Sequence, residues 1–192
     1  ALWDLPSYAD YDFVEGDIRN ADDRSEALDG VDTVFHLAAI TNAPETFDIP
    51  EKTWDVNHEA AVNLFKDARE AGVDEFVNAV TCSVYGTTEE KIQEGFDCEP
   101  ESPYGEAKLA AEREMFDLYD GKMGLTGLRL GTVYGWTRGM RFDTVVDKFA
   151  LLAATGKPLT VYEGAEDQQR PYLHVQDSVR SMLFAAENLG DG

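Results

Sequence analysis

Glu75-Phe-Val-Asn-Ala-Val-Thr-Cys-Ser-Val-Tyr-Gly86, followed after a polar connection by Ser102-Pro-Tyr-Gly-Glu-Ala-Lys-Leu-Ala-Ala-Glu112, decides the fold of this chain. The first stretch begins as a short apolar run, Glu75–Val80, that reads as a buried strand and ends in small and hydroxylated residues. In the second, Ser102 is placed to cap a helix and Pro103 suits its first position. Ala107, Ala111, Met115 and Leu118 carry that helix at the right spacing to Gly121.

The same alternation extends outward in both directions. Tyr11–Val14, Thr33–Leu37 and Gly127–Leu130 read as further short strands. Asp22–Leu28 reads as a helix that is acidic at its start, as the helix dipole favours. Glu51–Ala71 reads as a longer one, with Ala60, Ala61, Leu64, Phe65 and Ala68 on one face and Gly72 as its stop. Strands alternating with helices predict an α/β domain whose parallel sheet is covered on both faces. From Trp136 the character changes to a basic loop, Arg138-Gly-Met-Arg141, and a helix bearing Val145, Phe149 and Leu152. A strand at Leu159–Tyr162, a polar loop at Glu163–Gln169 and a last helix at Ser178–Asn188 are expected after it. A division of the chain into 1–135 and 136–192 is expected.

Charge narrows the function. Asp and Glu number 38 against 16 Lys and Arg, of which seven are Lys, giving a formal net charge of −22 over 192 residues. A field of that sign repels phosphate backbones and argues against nucleic-acid binding. The excess is spread along the chain, which fits either an ordinary acidic cytosolic protein or one from a high-salt cytoplasm. Hydrophobic residues at 43% and aromatics at 11% are a globular composition. Cys82 and Cys98 are too few for a disulfide framework, and no Cys/His spacing suggests a metal site. No apolar run approaches the roughly 18 residues of a membrane span. The start, Ala-Leu-Trp-Asp-Leu-Pro, lacks the basic region of a signal peptide, so a cytoplasmic protein is expected.

Parallel sheets bind ligands beyond the carboxyl ends of their strands. Three of those ends carry small residues: Leu37-Ala-Ala39, Thr81-Cys-Ser83 and Gly131-Thr-Val-Tyr-Gly135. Small residues let a ligand approach the backbone, or simply let helices pack on the sheet. Tyr104 and Lys108 are four residues apart on the predicted helix and therefore share a face. A free Tyr has a pKa near 10 and is a poor base; an adjacent ammonium favours its phenolate and lets the pair move a hydroxyl proton. With eight Tyr in the chain, roughly 0.3 such pairs arise by chance, each a surface Tyr and Lys with no chemistry. Position raises the odds: Thr81 and Ser83 lie 23 and 21 residues before Tyr104, at the end of the preceding strand. A hydroxyl there can bond the same substrate oxygen.

Seven segments in order extend this pattern: Phe13-Val-Glu-Gly-Asp-Ile18, Phe35-His-Leu-Ala-Ala39, Asp55-Val-Asn57, Thr81-Cys-Ser-Val-Tyr-Gly86, Tyr104-Gly-Glu-Ala-Lys108, Leu128-Arg-Leu-Gly-Thr-Val-Tyr-Gly135 and Arg170-Pro-Tyr-Leu-His-Val-Gln-Asp177. Together they resemble the extended short-chain dehydrogenase/reductases of the nucleotide-sugar epimerase/dehydratase family, over nearly the whole chain. The resemblance implies a Rossmann-type doubly wound sheet over 1–135 with NAD as cofactor, and over 136–192 part of a substrate-binding region with a segment returning to the Rossmann domain. It implies that Asp17 and Ile18 lie against the adenine, that Leu37, Ala38 and Ala39 line the pyrophosphate and ribose, and that Asn57 belongs to the cofactor site. Tyr104 would be the catalytic acid and base, Lys108 would hold the nicotinamide ribose, and Thr81 would be the catalytic hydroxyl with Ser83 in reserve. The same three catalytic residues would also touch the cofactor. Ser83, Thr132, Arg141 and Arg170 would face the substrate, Arg170 gripping its phosphates as a planar guanidinium can. His174 reads as structural, and Asp177 equally as a helix cap.

Three departures matter. The family's Gly-rich dinucleotide loop and second strand have no counterpart in these 192 residues, so the chain is expected to be an internal portion of a longer protein. Thr132 stands where many relatives carry Asn. Cys82 and Ser83 stand where the dehydratase branch carries acids that protonate a leaving hydroxyl, which favours epimerisation, at C4 of a UDP-sugar, over dehydration. A related reductase or dehydratase, and a non-catalytic nucleotide-sensing module, are the competing readings. The resemblance also implies a homodimer paired through the helices Glu51–Ala71 and Pro103–Gly121.

Overall fold

The computed structural model describes residues 11–137, 139–161, 163–164 and 169–188. They fall into two compact units, Phe13–Arg129 with the residues from Ser181 onward, and Leu130–Arg180.

In the larger unit β1 (Thr33–His36) pairs in parallel with β2 (Glu75–Thr81), His36 standing opposite Asn78. β3 (Gly124–Leu130) completes the order β1-β2-β3. Parallel neighbours cannot be joined by a hairpin, so helices make the connections. α1 (Ala21–Ala27) precedes β1; α2 (Pro50–Trp54) and α3 (Ala61–Ala71) lie between β1 and β2; α4 (Pro103–Asp117) lies between β2 and β3. This is the Rossmann-type α/β arrangement expected from the sequence.

Local chemistry sets the helix ends. The Asn20 side chain accepts the Asp22 N–H at 2.9 Å to cap α1. Ser102 Oγ accepts the Gly105 N–H at 3.2 Å to cap α4, with Pro103 in its first turn. Gly72 closes α3 at φ +83°, a conformation that costs glycine little. Phe65 of α3 and Phe76 of β2 meet edge to face at 5.4 Å, and Ala68 and Met115 close the space around them. A second cluster, Val80, Val84, Tyr85 and Leu109, packs the end of β2 against α4. Burial of apolar side chains at about 1.5–3 kcal/mol each makes these two clusters the main attachment of helices to sheet.

The helix predicted over Glu51–Ala71 forms, but its middle departs from α geometry. Asp55–Ala60 is a π-helical turn between α2 and α3, a feature that re-aims side chains within an otherwise regular helix. Two predicted strands do not form. Residues 11–14 carry no regular structure and pair with no described strand, and Tyr11 and Phe13 are exposed rather than buried. A strand needs a ladder, and hydrophobic composition alone does not supply one. Residues 159–161 likewise join no sheet, while Tyr162 lies outside the described residues, as does Arg138 of the basic loop.

In the smaller unit β4 (Thr132–Tyr134) pairs in parallel with β5 (Tyr172–His174). From sequence, β4 falls in the segment after a strand end and β5 in no predicted element, because three-residue strands are too short for a period to be seen. Tyr134 stacks edge-on with Tyr172 and His174, which gives His174 the structural setting expected of it. α5 (Val145–Ala154) forms as predicted, and its buried Asp147 accepts the Gly135 N–H at 3.3 Å. α6 (Val175–Asn188) starts three residues before the predicted Ser178. No helix among the described residues is long and apolar enough to cross a membrane.

Gly86, which ends the turn after β2, has φ +67° and ψ −151°, and a Cβ there would lie 2.2 Å from the Glu99 carbonyl oxygen. Gly86→Ala is therefore expected to lower stability in urea unfolding by about 3 kcal/mol. Gly30→Ala, at φ +70° with open space around it, should cost only about 1 kcal/mol.

Candidate active site

β2 delivers its last residue, Thr81, into a 3-10 turn, Cys82–Tyr85. Thr81 is buried, and its Oγ1 accepts the Ser83 N–H at 3.1 Å while bonding Ser83 Oγ at 3.2 Å. The two hydroxyls proposed from sequence thus form one hydrogen-bonded pair, with Ser83 on the exposed side. α4 packs against both this turn and β2. Gly105, directly after Tyr104, lets the helix come close: a Cβ there would lie 3.1 Å from the Ser83 carbonyl oxygen.

Lys108 is 3% exposed, and its Nζ donates to the Ala79 carbonyl at 2.8 Å, two residues before Thr81. Burial pulls its pKa down to about 8, so at neutral pH it remains mostly an ammonium. Tyr104, one turn earlier on α4, is half-buried. The strand end therefore gathers Thr81, Ser83 and Lys108 on adjoining elements, with Tyr104 on the helix that carries Lys108.

A second junction fixes the loop after β1. The π turn carries fully buried Asn57. Its Nδ2 donates to the Ile40 carbonyl at 2.9 Å, and its Oδ1 accepts the Ile40 N–H at 2.8 Å. An amide that matches both backbone groups of one residue holds that residue as a strand ladder would. The loop it anchors presents Leu37 and Ala38 to solvent, with Ala39 half-buried. Asp17 is exposed, and Ile18 beside it lines a cavity of about 400 Å³ with Val14, Val34 and Leu64. Hydrogen bonds from the Arg19 side chain and backbone hold the Asp17 carboxyl down at about 2. Arg19 also reaches Asp55 of the π turn at 3.1 Å, tying the two loops together. Arg19 was not singled out in the sequence; its spacing of two from Asp17 was the available signal.

His36, at the end of β1, is 2% exposed, and its Nε2 meets no hydrogen-bond partner among the described residues. Burial, reinforced by the positive charge of Lys108, lowers its pKa to about 3. It is a neutral ring beside a buried cation.

The remaining candidates stand in the smaller unit. Thr132 is half-buried at the start of β4. Arg141 is exposed and bonds Asp143 at 2.6 Å. Arg170 is exposed, two residues before β5.

The sequence profile of the NAD dependent epimerase/dehydratase family matches residues 3–192. The chain is 32% identical over 175 residues to an uncharacterized UDP-glucose epimerase, YtcB, of Bacillus subtilis, covering 90% of this chain and 54% of that protein. It is 29% identical over 205 residues to a UDP-glucose 4-epimerase of Streptomyces lividans, covering 94% of this chain and 62% of that one. It also superposes on MoeE5 in complex with UDP-glucose and NAD, with a TM-score of 0.83 and 31% identity, over 93% of this chain and 60% of MoeE5. The chain thus spans between half and two-thirds of the length of these relatives.

A folded His that resists protonation makes stability fall with acid. Its pKa is near 3 when folded and about 6.5 when unfolded, so the unfolded state binds more protons between those values. The stability difference is absent above about pH 6.5 and grows as pH falls toward 3. Between pH 6.5 and 4.5 the native protein should lose roughly 2–3 kcal/mol from this ring. His36→Gln should remove that part of the slope, as read from urea midpoints at the two pH values.

Proposed function

The chain belongs to the NAD dependent epimerase/dehydratase family, and from that premise we propose that its protein is an NAD-dependent epimerase of nucleotide sugars, acting at C4 of a UDP-sugar. The observation that carries this reading is the buried Lys108 ammonium bonded to Ala79 at the strand end that bears Thr81. A surface Lys four residues after a surface Tyr has no reason to be buried, since removing an ammonium from water costs several kcal/mol.

The residues fit a dinucleotide. Beyond β1 the exposed Leu37 and Ala38 leave the backbone approachable, and Asn57 holds the following Ile40 in place. Asp17, in the loop before α1, is held ionised by Arg19 and is suited to accept from adenine or ribose groups. NAD, held by these residues, would supply reversible hydride acceptance at the sugar carbon. Tyr104 Oη takes the proton of the hydroxyl being oxidised and gives it back on reduction. Lys108 stabilises the phenolate that this requires and donates toward the ribose. Thr81 Oγ1, steadied by Ser83, bonds the sugar oxygen and orients it toward Tyr104. Arg170, with Arg141 and Thr132, is assigned to the nucleotide phosphates and the sugar.

Epimerisation is preferred to dehydration because the positions between Thr81 and Tyr85 are Cys82, Ser83 and Val84. None is an acid able to protonate a leaving hydroxyl. In the full-length protein, Tyr104→Phe should lower kcat for UDP-sugar epimerisation about 10²–10⁴-fold. NAD should still be released on denaturation and identified by mass spectrometry. Unchanged turnover in Tyr104→Phe would overturn the assignment of the proton to this residue.

A further inference from the structure

Four residues beyond Lys108 on the same face of α4 lies Glu112, whose carboxylate is buried. Arg129 of β3 grips it from the sheet, Nε reaching Oε1 and Oε2 at 3.1 Å each and Nη2 reaching Oε2 at 2.8 Å. The remaining arm, Nη1, donates to Tyr85 Oη at 2.9 Å, and the guanidinium carbon lies 5.0 Å from the Tyr85 ring centroid. Tyr85 is the last residue of the 3-10 turn that begins beside Thr81. Its ring is buried, with Phe96 edge-on at 6.4 Å. The sheet makes room for the pair: a Cβ on Gly127 would lie 2.9 Å from Glu112 Oε1.

A buried ion pair is weak as a stabilising device, since a well-packed apolar group often serves as well. A fork that takes a helix carboxylate with two edges and a turn hydroxyl with the third instead fixes three elements in one geometry. We propose that Glu112 and Arg129 are positioning residues, clamping Tyr85 so that Thr81 and Ser83 are held in register with Tyr104 and Lys108. This rests on the reading of those four as the reacting site. With the clamp in place the hydroxyls approach the substrate oxygen from a turn that cannot swing away. Without it the turn keeps its packing at Gly105 but loses its far anchor.

The test uses the full-length protein with NAD bound. Tyr85→Phe removes the one hydroxyl that Arg129 holds and keeps the ring, so it is expected to fold; Arg129→Lys keeps the charge and loses the fork. Each should lower kcat about 10–100-fold at nearly unchanged KM, the cost of misplacing a reacting group by about 1 Å. Combining them should cost little more than either alone, since both break one clamp. Hydrogen exchange at the amides of Ser83 and Gly86 should quicken in both variants while the unfolding midpoint of Tyr85→Phe stays close to that of the native protein. Unchanged exchange at these amides, or quickened exchange with kcat intact, would overturn the clamp. Tyr104→Phe is run alongside: if it leaves turnover intact, the reading of the site has failed. If it abolishes turnover while Tyr85→Phe and Arg129→Lys do not, only the clamp has failed.

Discussion

A cation held away from water organises this structure. The Lys108 ammonium reaches from α4 to the Ala79 carbonyl, and burial makes it easier to deprotonate, from 10.5 down to about 8. That shift corresponds to about 3 kcal/mol of penalty on the ammonium relative to water, so the position is costly unless its surroundings are fixed. Much of what surrounds it follows from this. His36 is neutral because a second positive charge in the same place would be doubly opposed, by burial and by Lys108. The carbonyl that accepts from Lys108 lies on β2, so helix and strand end are bound together where the hydroxyls of Thr81 and Ser83 begin.

Around that contact, backbone geometry is set by side chains reaching across elements rather than by the elements themselves. Asn57 satisfies both backbone groups of Ile40, Arg19 joins Asp17 to Asp55, and Arg129 joins Glu112 to Tyr85. The first and third fix loops at the carboxyl ends of β1 and β2, and the second fixes the loop before α1. Loops otherwise sample many conformations at a cost of about 1–2 kcal/mol per residue to order. Anchoring them before a ligand arrives leaves less of that cost to binding. The π turn has its use here, because it directs Asn57 inward from a helix whose regular spacing would serve only the core.

The apolar periods of the sequence were enough to reveal most of the larger unit. β1 and β2 stood out as short apolar runs and α4 by apolar residues at helical spacing, and Ser102 with Pro103 marked a helix start that the structure places at Pro103. Residues 11–14 and 159–161 share the composition of strands but pair with no strand among the described residues. β4 and β5 were missed for the opposite reason, since three residues can form a ladder without showing a period. Tyr104, Lys108, Thr81 and Ser83 were found through spacing along the chain. Glu112 and Arg129 were not, because nothing in their spacing, 17 residues apart, indicates that they meet; for Arg19 only its spacing of two from Asp17 was there to be read.

By itself the sequence determined the alternation of strands and helices, the shared helical face of Tyr104 and Lys108, and the family to which the chain belongs. Those are properties of neighbours along a chain, fixed by the 3.6-residue turn, by capping chemistry and by the order of motifs. Only the tertiary structure decided that Lys108 is buried on Ala79, that Asn57 clasps Ile40, and that one guanidinium joins α4, β3 and the turn after β2. Burial and desolvation depend on which segments meet in space, 17 residues apart for Asn57 and Ile40 and 44 for Arg129 and Tyr85. No local period records such a meeting; it comes into being when helices close over the sheet.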